Sequence, residues 1–458
     1  MKKLFIILCT LVLTGISHAQ ISQRLKTAMN SFNNDNQLKY AISSLYVIDA
    51  ATGETVFDQN STVGLAPAST EKIITAATAF DILGTSYTYD TKFGIVSTTN
   101  GKSLYIDPSG DPALGSWRWD DTKDVAFISR LKKALSDKGI TQLESVIINA
   151  SKWDYETIPD GWIWQDIGNY YGAGAQPLNW RENQFDLILK SGPNQGDAVS
   201  VVKTTPYLYD YNIISKVTSG PKQSGDNSFL YHPSIGSKDG IITGTIPAGQ
   251  NGYVVAGSIY DPANQFVKTI INNLKGTVTF TGNDWSMVRK PVTNVDWVYT
   301  NSSPKMSSLV YWFLRKSINL YGEALIKALA LEKNGKATTD DGIKVLQNHW
   351  RSKGIDTDEL HLYDGSGLSP QNRVTTHAEV TVLQYAKKQS WFKEYYEAFP
   401  LYNNMKMKSG TINRVKGFTG YQKSKDGREY IFSFVVNNYS GTQYSLVRKM
   451  YGVLDVLK

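Results

Sequence analysis

The sequence predicts an α/β (α+β) fold, an antiparallel sheet flanked by helices and interrupted by two nested β-rich inserted domains. Three observations predict it. Both chain ends carry apolar residues at helical spacing beside β-branched and aromatic runs that alternate. Between about Tyr89 and Trp297 the chain changes texture, to short strand-like runs separated by Gly, Asn, Asp and Pro, with few long helical patterns. Within that middle, residues 185–240 show a second shift toward Asp-, Asn-, Ser- and Gly-rich turns, which reads as an insertion within the insertion. At 458 residues the chain is too long for one core and suits two or three domains.

In chain order, residues 1–19 have the layout of a secretory signal peptide: Met1-Lys2-Lys3, an apolar run from Leu4 to Ile16, then Ser17-His18-Ala19 before a cut at Gln20. Its removal takes two lysines from a formal charge of +7, and takes Cys9, the single cysteine, as well. The exported chain is then expected to hold together without disulfides and without an integral membrane span. Residues 20–32 read as an amphipathic helix through Ile21, Leu25, Ala28, Met29 and Phe32. An alternating run to Ile48, a turn at Ala51-Thr52-Gly53 and a return at Thr55-Val56-Phe57 read as a hairpin. At the far end, residues 430–436 form a strong strand, and Leu446, Val447, Met450, Val453, Leu454 and Leu457 mark a closing helix. Both ends supplying one sheet predicts a discontinuous domain of residues 20–88 and 296–458, with 89–184 and 241–295 as the inserted β-rich domain and 185–240 nested inside it. Six of the eleven tryptophans (Trp117, Trp119, Trp153, Trp162, Trp164 and Trp180) fall in the insertion and are expected to build a small β-rich core.

The hairpin runs into Ala66-Pro67-Ala68-Ser69-Thr70-Glu71-Lys72, followed by Ile73, Ala76, Ala77, Phe80 and Leu83 at helical spacing. Ser69 thus falls at the N-terminal end of a buried helix with Lys72 one turn on, on the same face. A serine hydroxyl needs a base, and a buried lysine with a lowered pKa can serve as one. Two other Ser-x-x-Lys copies, Ser219 to Lys222 and Ser302 to Lys305, place proline directly before the lysine and cannot lie in a helix interior. Further on, Ser317-Ile318-Asn319 sits where one helix ends and the next begins, so both polar side chains can project from a short loop. Lys408-Ser409-Gly410-Thr411 precedes the C-terminal strands. Its rival, Lys190-Ser191-Gly192-Pro193, lacks the backbone N–H after glycine that an edge strand would offer to a developing oxyanion, whereas Thr411 has one. Glycine at 410 is expected because a substrate must approach the strand closely.

Ser-x-x-Lys, Ser-x-Asn and Lys-Ser/Thr-Gly in this order form the signature set of penicillin-binding proteins and serine β-lactamases. Ser317 stands 245 positions after Lys72, and the chain resembles the D-Ala-D-Ala carboxypeptidase/endopeptidase family, class C low-molecular-mass penicillin-binding proteins, which carry nested domains there. Supporting stretches are Ser109-Gly110-Asp111-Pro112, Gly161-Trp162-Ile163-Trp164-Gln165-Asp166 with Tyr170-Tyr171-Gly172-Ala173, and Asp364-Gly365-Ser366-Gly367-Leu368-Ser369, itself read as a structural turn. The resemblance covers essentially all of the chain after residue 19. Serine at 409 in place of threonine is a small departure that keeps the hydroxyl.

The resemblance implies the penicillin-binding/serine β-lactamase-like transpeptidase fold and serine-type DD-carboxypeptidase/DD-endopeptidase activity on peptidoglycan stem peptides in the periplasm. It makes Ser69 the nucleophile, Lys72 its base, Ser317 a proton relay, Asn319 a holder of the acyl chain and Lys408 a cation beside the lysine base. Ser69 and Thr411 would supply the oxyanion N–H groups, and Ser409, Gly410 and Thr411 would border the substrate carboxylate. Asp166 and Tyr171 would recognise the far end of the stem-peptide side chain. β-Lactam antibiotics are expected as covalent inhibitors; no metal or other cofactor and no nucleic-acid partner is expected. A Ser-His-Asp hydrolase lacks a Gly-x-Ser-x-Gly, and a metallopeptidase lacks a His-Glu-x-x-His. The remaining alternatives are a β-lactamase and a non-catalytic wall-binding protein.

Overall fold

The computed structural model describes residues 20–99, 101–234, 236–282 and 284–458. The expected signal peptide, residues 1–19 with Cys9, lies outside the described residues. Two compact units emerge: residues up to 85, 310–317 and 343–458 form one, and residues 86–309 with 318–342 form the other.

The first unit is built on a six-stranded antiparallel sheet. Its order is Thr55–Gln59, Ile42–Asp49, Glu429–Asn437, Val415–Lys423, Met405–Ile412 and Leu401–Tyr402, so strands from both chain ends are neighbours. Residues alternate across the sheet with period two. Phe432, Phe434 and Val436 pack with Phe418, Leu45 and Val47 against the helix of residues 20–33 and the closing helix Gln443–Leu454, through Leu25, Met29, Leu446, Met450 and Leu454. Ser433, between them in sequence, faces the opposite side and bonds Glu379 of the helix Thr376–Lys387. That helix packs on the helix Lys72–Ile82. Residues 72–80 are buried all round, which suits a segment of alanine, isoleucine and threonine with little polar face.

The second unit contains a five-stranded mixed sheet, in the order Trp285–Val288, Val146–Asn149, Gly101–Asp107, Asp90–Thr98 and Asp296–Ser302. Two helices, Asp124–Asp137 and Pro262–Leu274, cover it with Phe127, Leu131, Leu135, Phe266, Ile270 and Leu274. Sequence reading passed over both helices, because their four-turn periodicity is embedded in polar, turn-rich surroundings. A smaller core gathers residues from Phe185 to Ile259, including Leu187, Leu189, Ile242, Ile246 and Val255. The tryptophans do not share one core. Trp180 is fully buried in the larger one, and Trp153 joins Ala150 and Ala337 in a satellite cluster, while Trp117 and Trp164 are exposed. The helix Asn319–Asn334 belongs to this unit, where Tyr321 donates to Glu182 Oε1 and Lys327 pairs with Asp154. Among the described residues no helix is long and apolar enough to cross a membrane.

Candidate active site

Ser69 lies in a tight turn, Ala68–Glu71, that leads into the helix beginning at Lys72. The backbone there is unusual: Ala68 has φ +50°, a left-handed conformation costing a non-glycine residue about 1–3 kcal/mol. Neighbours enforce it. Asn437 pins Ala66 from both sides, accepting from its N–H at 2.9 Å and donating to its carbonyl at 3.0 Å. The Thr70 hydroxyl donates to Pro67 O at 2.8 Å. Two glycines then close on the turn. A Cβ at Gly367 would stand 2.0 Å from Ala68 O, and one at Gly410 would stand 2.5 Å from Pro67 O and 3.0 Å from Ser69 N. The serine's own turn thus approaches position 410 closely enough to require glycine there.

Lys72 is fully buried, and its Nζ donates to Ser69 Oγ at 2.9 Å and to Ser366 O at 2.5 Å. The Phe313 ring lies 5.8 Å from the same nitrogen. Ser366 belongs to the loop that the sequence presented as a structural turn. It is one, and it also serves the lysine. The Asp364 carboxylate gathers the N–H groups of Ser366, Gly367 and Ser369 and the Asn372 amide, at 2.6–3.3 Å. Thr75 fixes Gly365 O from the helix at 2.8 Å. The Ser366 carbonyl is thereby aimed at Lys72.

On the strand Met405–Ile412, Lys408 is buried, and its pKa is held well below the usual lysine range, first by burial and then by the charges of Lys72 and Lys416. Lys408 stands in register with Thr419, and Thr419 with Ser433, in one row across the sheet. Glu379 sits over that row. Ser433 Oγ donates to its Oε2 at 2.5 Å, the nearby Thr70 and Thr419 hydroxyls also favour the carboxylate, and burial nevertheless pushes its carboxyl up to about 7. Glu379 escaped the sequence reading. Its signal was a lone acid among apolar neighbours, Ala378-Glu379-Val380, on a core helix.

Ser317 also belongs to the first unit, one residue past the helix Met306–Lys316 that carries Phe313, and it too is left-handed, with φ +59°. Asn319 opens the next helix and belongs to the second unit, where its Nδ2 donates to Tyr171 O at 2.8 Å. Tyr171 is hydrogen-bonded to the half-buried Asp166, whose pKa is raised by burial against the opposing effect of that bond. The candidates thus fall in two groups. Ser69, Lys72, Lys408, Ser409, Gly410, Thr411 and Ser317 lie in the first unit, and Asn319, Tyr171 and Asp166 form a linked set in the second. Among the described residues no cluster of His, Cys, Asp and Glu is arranged to hold a metal ion.

A serine held against a buried lysine, near a second buried lysine on the strand Met405–Ile412, can form and hydrolyse an acyl ester. The sequence matches the D-Ala-D-Ala carboxypeptidase 3 (S13) family over residues 25–454. It is similar to the D-alanyl-D-alanine carboxypeptidase of Actinomadura sp. (strain R39), 25% identical over 472 residues that span 94% of this chain and 84% of that one. Among solved structures, penicillin binding protein 4 of Haemophilus influenzae is 18% identical, with a TM-score of 0.77 over 96% of this chain and 98% of that one. The same protein complexed with a β-lactam gives 0.71 over 91% and 97%. A predatory endopeptidase of Bdellovibrio bacteriovorus, solved with an immunity protein, is 14% identical, with a TM-score of 0.52 over 91% and 92%.

Proposed function

The chain belongs to the D-Ala-D-Ala carboxypeptidase 3 (S13) family, a serine-type hydrolase, and we propose that it works through an acyl-enzyme on Ser69. The substrate is the D-alanyl-D-alanine end of a peptidoglycan stem peptide. Ser69 Oγ attacks the carbonyl carbon of the penultimate D-alanine while its proton passes to Lys72 Nζ, 2.9 Å away. That contact is the observation carrying the reading. Lys72 must be neutral to accept the proton, and two buried ammonium groups disfavour each other. Lys72 and Lys408 are best described as a coupled pair that holds its second proton poorly.

The oxyanion is received by the N–H groups of Ser69 and Thr411, each worth roughly 3 kcal/mol in such sites. The C–N bond breaks as Ser317 passes a proton to the departing amine, and Asn319 holds the acyl chain's amide. Water then attacks the ester, with the same lysine taking its proton, and Ser69 is released. In a carboxypeptidase step the amine that leaves is free D-alanine; in an endopeptidase step it belongs to a cross-linked neighbour. A β-lactam follows the same first step, but its amine stays tethered in the opened ring, so a slow-hydrolysing ester remains. The β-lactam complex of the Haemophilus influenzae relative supports this reading. Residues 1–19 would direct the chain to the periplasm. Asp166 and Tyr171 would bind the free amine of a diamino acid in the stem peptide.

Intact-mass spectrometry with benzylpenicillin, followed over hours beside Ser69→Ala, tests the reading. One lasting penicilloyl adduct, absent in Ser69→Ala, is expected. A rapidly vanishing adduct with drug turnover would assign a β-lactamase, and no adduct on folded protein would assign a binding role.

A further inference from the structure

We propose that Lys416 is the charged half of the subsite that receives the substrate's terminal carboxylate, and that it acts together with the Thr411 hydroxyl it orients. The proposal rests on the Ser69 acyl-enzyme reading and adds to it a residue that determines specificity.

Strand register supplies the first part of the argument. In the antiparallel pair Met405–Ile412 and Val415–Lys423, Thr411 is opposite Lys416 and Ser409 is opposite Phe418. Paired side chains share a face, and successive residues alternate, so Ser409, Thr411 and Lys416 lie on one face while Lys408 and Gly410 lie on the other. The two paired strands therefore place these cations on opposite faces of the sheet. Lys408 is on the side of the Ser69 turn and Lys72, and Lys416 is on the side of the two hydroxyls.

Hydrogen-bond chemistry supplies the second. Lys416 Nζ donates to Thr411 Oγ1 at 2.8 Å. An ammonium has donors and no acceptor, so the threonine oxygen must accept, and its single hydrogen is turned away from the lysine. Thr411 is exposed whereas Lys416 is only 5% exposed, so the hydroxyl presents that hydrogen at the surface with a cation directly behind it. The carboxylate of a D-Ala-D-Ala substrate lies one residue beyond the scissile carbonyl. An oxyanion donor and a carboxylate donor on one residue, the N–H and Oγ1 of Thr411, match that separation.

Burial supplies the third. Among the described residues the partners of the Lys416 ammonium are a hydroxyl and the Phe418 ring, 4.8 Å to the centroid, neither of which carries charge. Burial alone pulls its pKa down to about 8. A buried cation answered only by uncharged groups is costly, and an anion arriving from solvent offsets that cost. It would also relieve the repulsion that Lys416 exerts on Lys408.

The test compares a peptide ending in D-Ala-D-Ala with its C-terminal carboxamide, in wild type, Lys416→Met and Lys416→Arg. Methionine fills the apolar slot without charge, and circular dichroism and melting confirm the fold. Loss of an ionic contact should lower kcat/KM for the acid relative to the amide by about thirtyfold in Lys416→Met, chiefly through KM. Lys416→Arg, which keeps the charge, should retain most of the preference. An acid-to-amide ratio unchanged in folded Lys416→Met overturns the proposal, as does an equal loss on both peptides. If wild type hydrolyses neither peptide, the acyl-transfer reading falls, and binding of the two peptides is then compared by calorimetry in Ser69→Ala and Ser69→Ala/Lys416→Met. An acid preference that disappears in the double variant still supports the lysine's role, and its persistence overturns it.

Discussion

The turn at Ser69 and the loop at Asp166 place polar groups in opposite physical settings. Around Ser69, the Lys72, Lys408 and Glu379 side chains are buried, the backbone is left-handed at Ala68, and glycines at 367 and 410 allow approaches that no other residue could make. At Asp166 and Tyr171, two half-buried side chains bond each other on short helical turns, and Asn319 ties the Tyr171 carbonyl. In the first region the ionisable groups are buried, so their charges interact strongly and the pKa values of Lys408 and Glu379 move far. The second remains accessible to a ligand and has less to lose when one group is removed. Under the proposed function, chemistry would be concentrated where geometry is over-determined, and recognition where it is not.

That contrast can be broken most directly at Lys72. Lys72→Ala should slow acylation by about a thousandfold, the middle of the range for a lost general base, while the fold stays intact. Penicillin acylation followed by intact mass measures it, and a folded variant acylating at the normal rate would remove Lys72 as the base.

A second experiment probes how tightly the buried region is constrained. Glu379 has a carboxyl pKa near 4.5 when exposed and about 7 when folded. Between these values the folded chain holds the proton that the unfolded chain releases, so stability is full below about pH 4.5 and declines as pH rises through 7. A shift of that size corresponds to roughly 3 kcal/mol. Asp111 in the second unit, buried and also raised to about 7, adds a decline of the same sign, so the comparison must be between variant and wild type. Glu379→Gln, which cannot ionise, should melt higher than wild type at pH 8 and lose much of the gap at pH 5. An equal difference at both values would mean that Glu379 is not held neutral.

The smallest effect is expected in the open region. Asp166→Ala should lower kcat/KM about tenfold for stem peptides bearing a free side-chain amine, the size of one lost ionic contact, and leave penicillin acylation within about twofold. Equal losses on both would assign Asp166 to the architecture of its turn.

Several features were readable in residue order. Ser69 and Lys72 are three positions apart at a helix start, a spacing that brings their side chains together wherever that helix goes. Pro193, Pro221 and Pro304 eliminated rival motifs because a missing N–H or a broken helix is a covalent fact. The strand at 430–436 and the helix closing on Met450 and Leu454 follow from apolar patterns confined to a few turns. The helices at Asp124–Asp137 and Pro262–Leu274 were less legible, since the sheet residues that bury them lie far away in sequence.

The polar interior was hidden for the same reason. Ser366 is 294 positions from the lysine it accepts from, and Glu379 is 54 from Ser433. Gly410 showed itself as a glycine in the sequence, but the atoms that require it, Pro67 O and Ser69 N, come from the other end of the chain. Local order therefore specified the Ser69–Lys72 pair and the strand that borders it, because helix and strand periods act over a few residues. Which carbonyl faces Lys72, which acid has its pKa raised by burial near Thr70, and which face of the sheet each of Lys408 and Lys416 occupies relative to the Ser69 turn are set by packing. Burial and long-range pairing establish the field at each group, and no short stretch of sequence contains them.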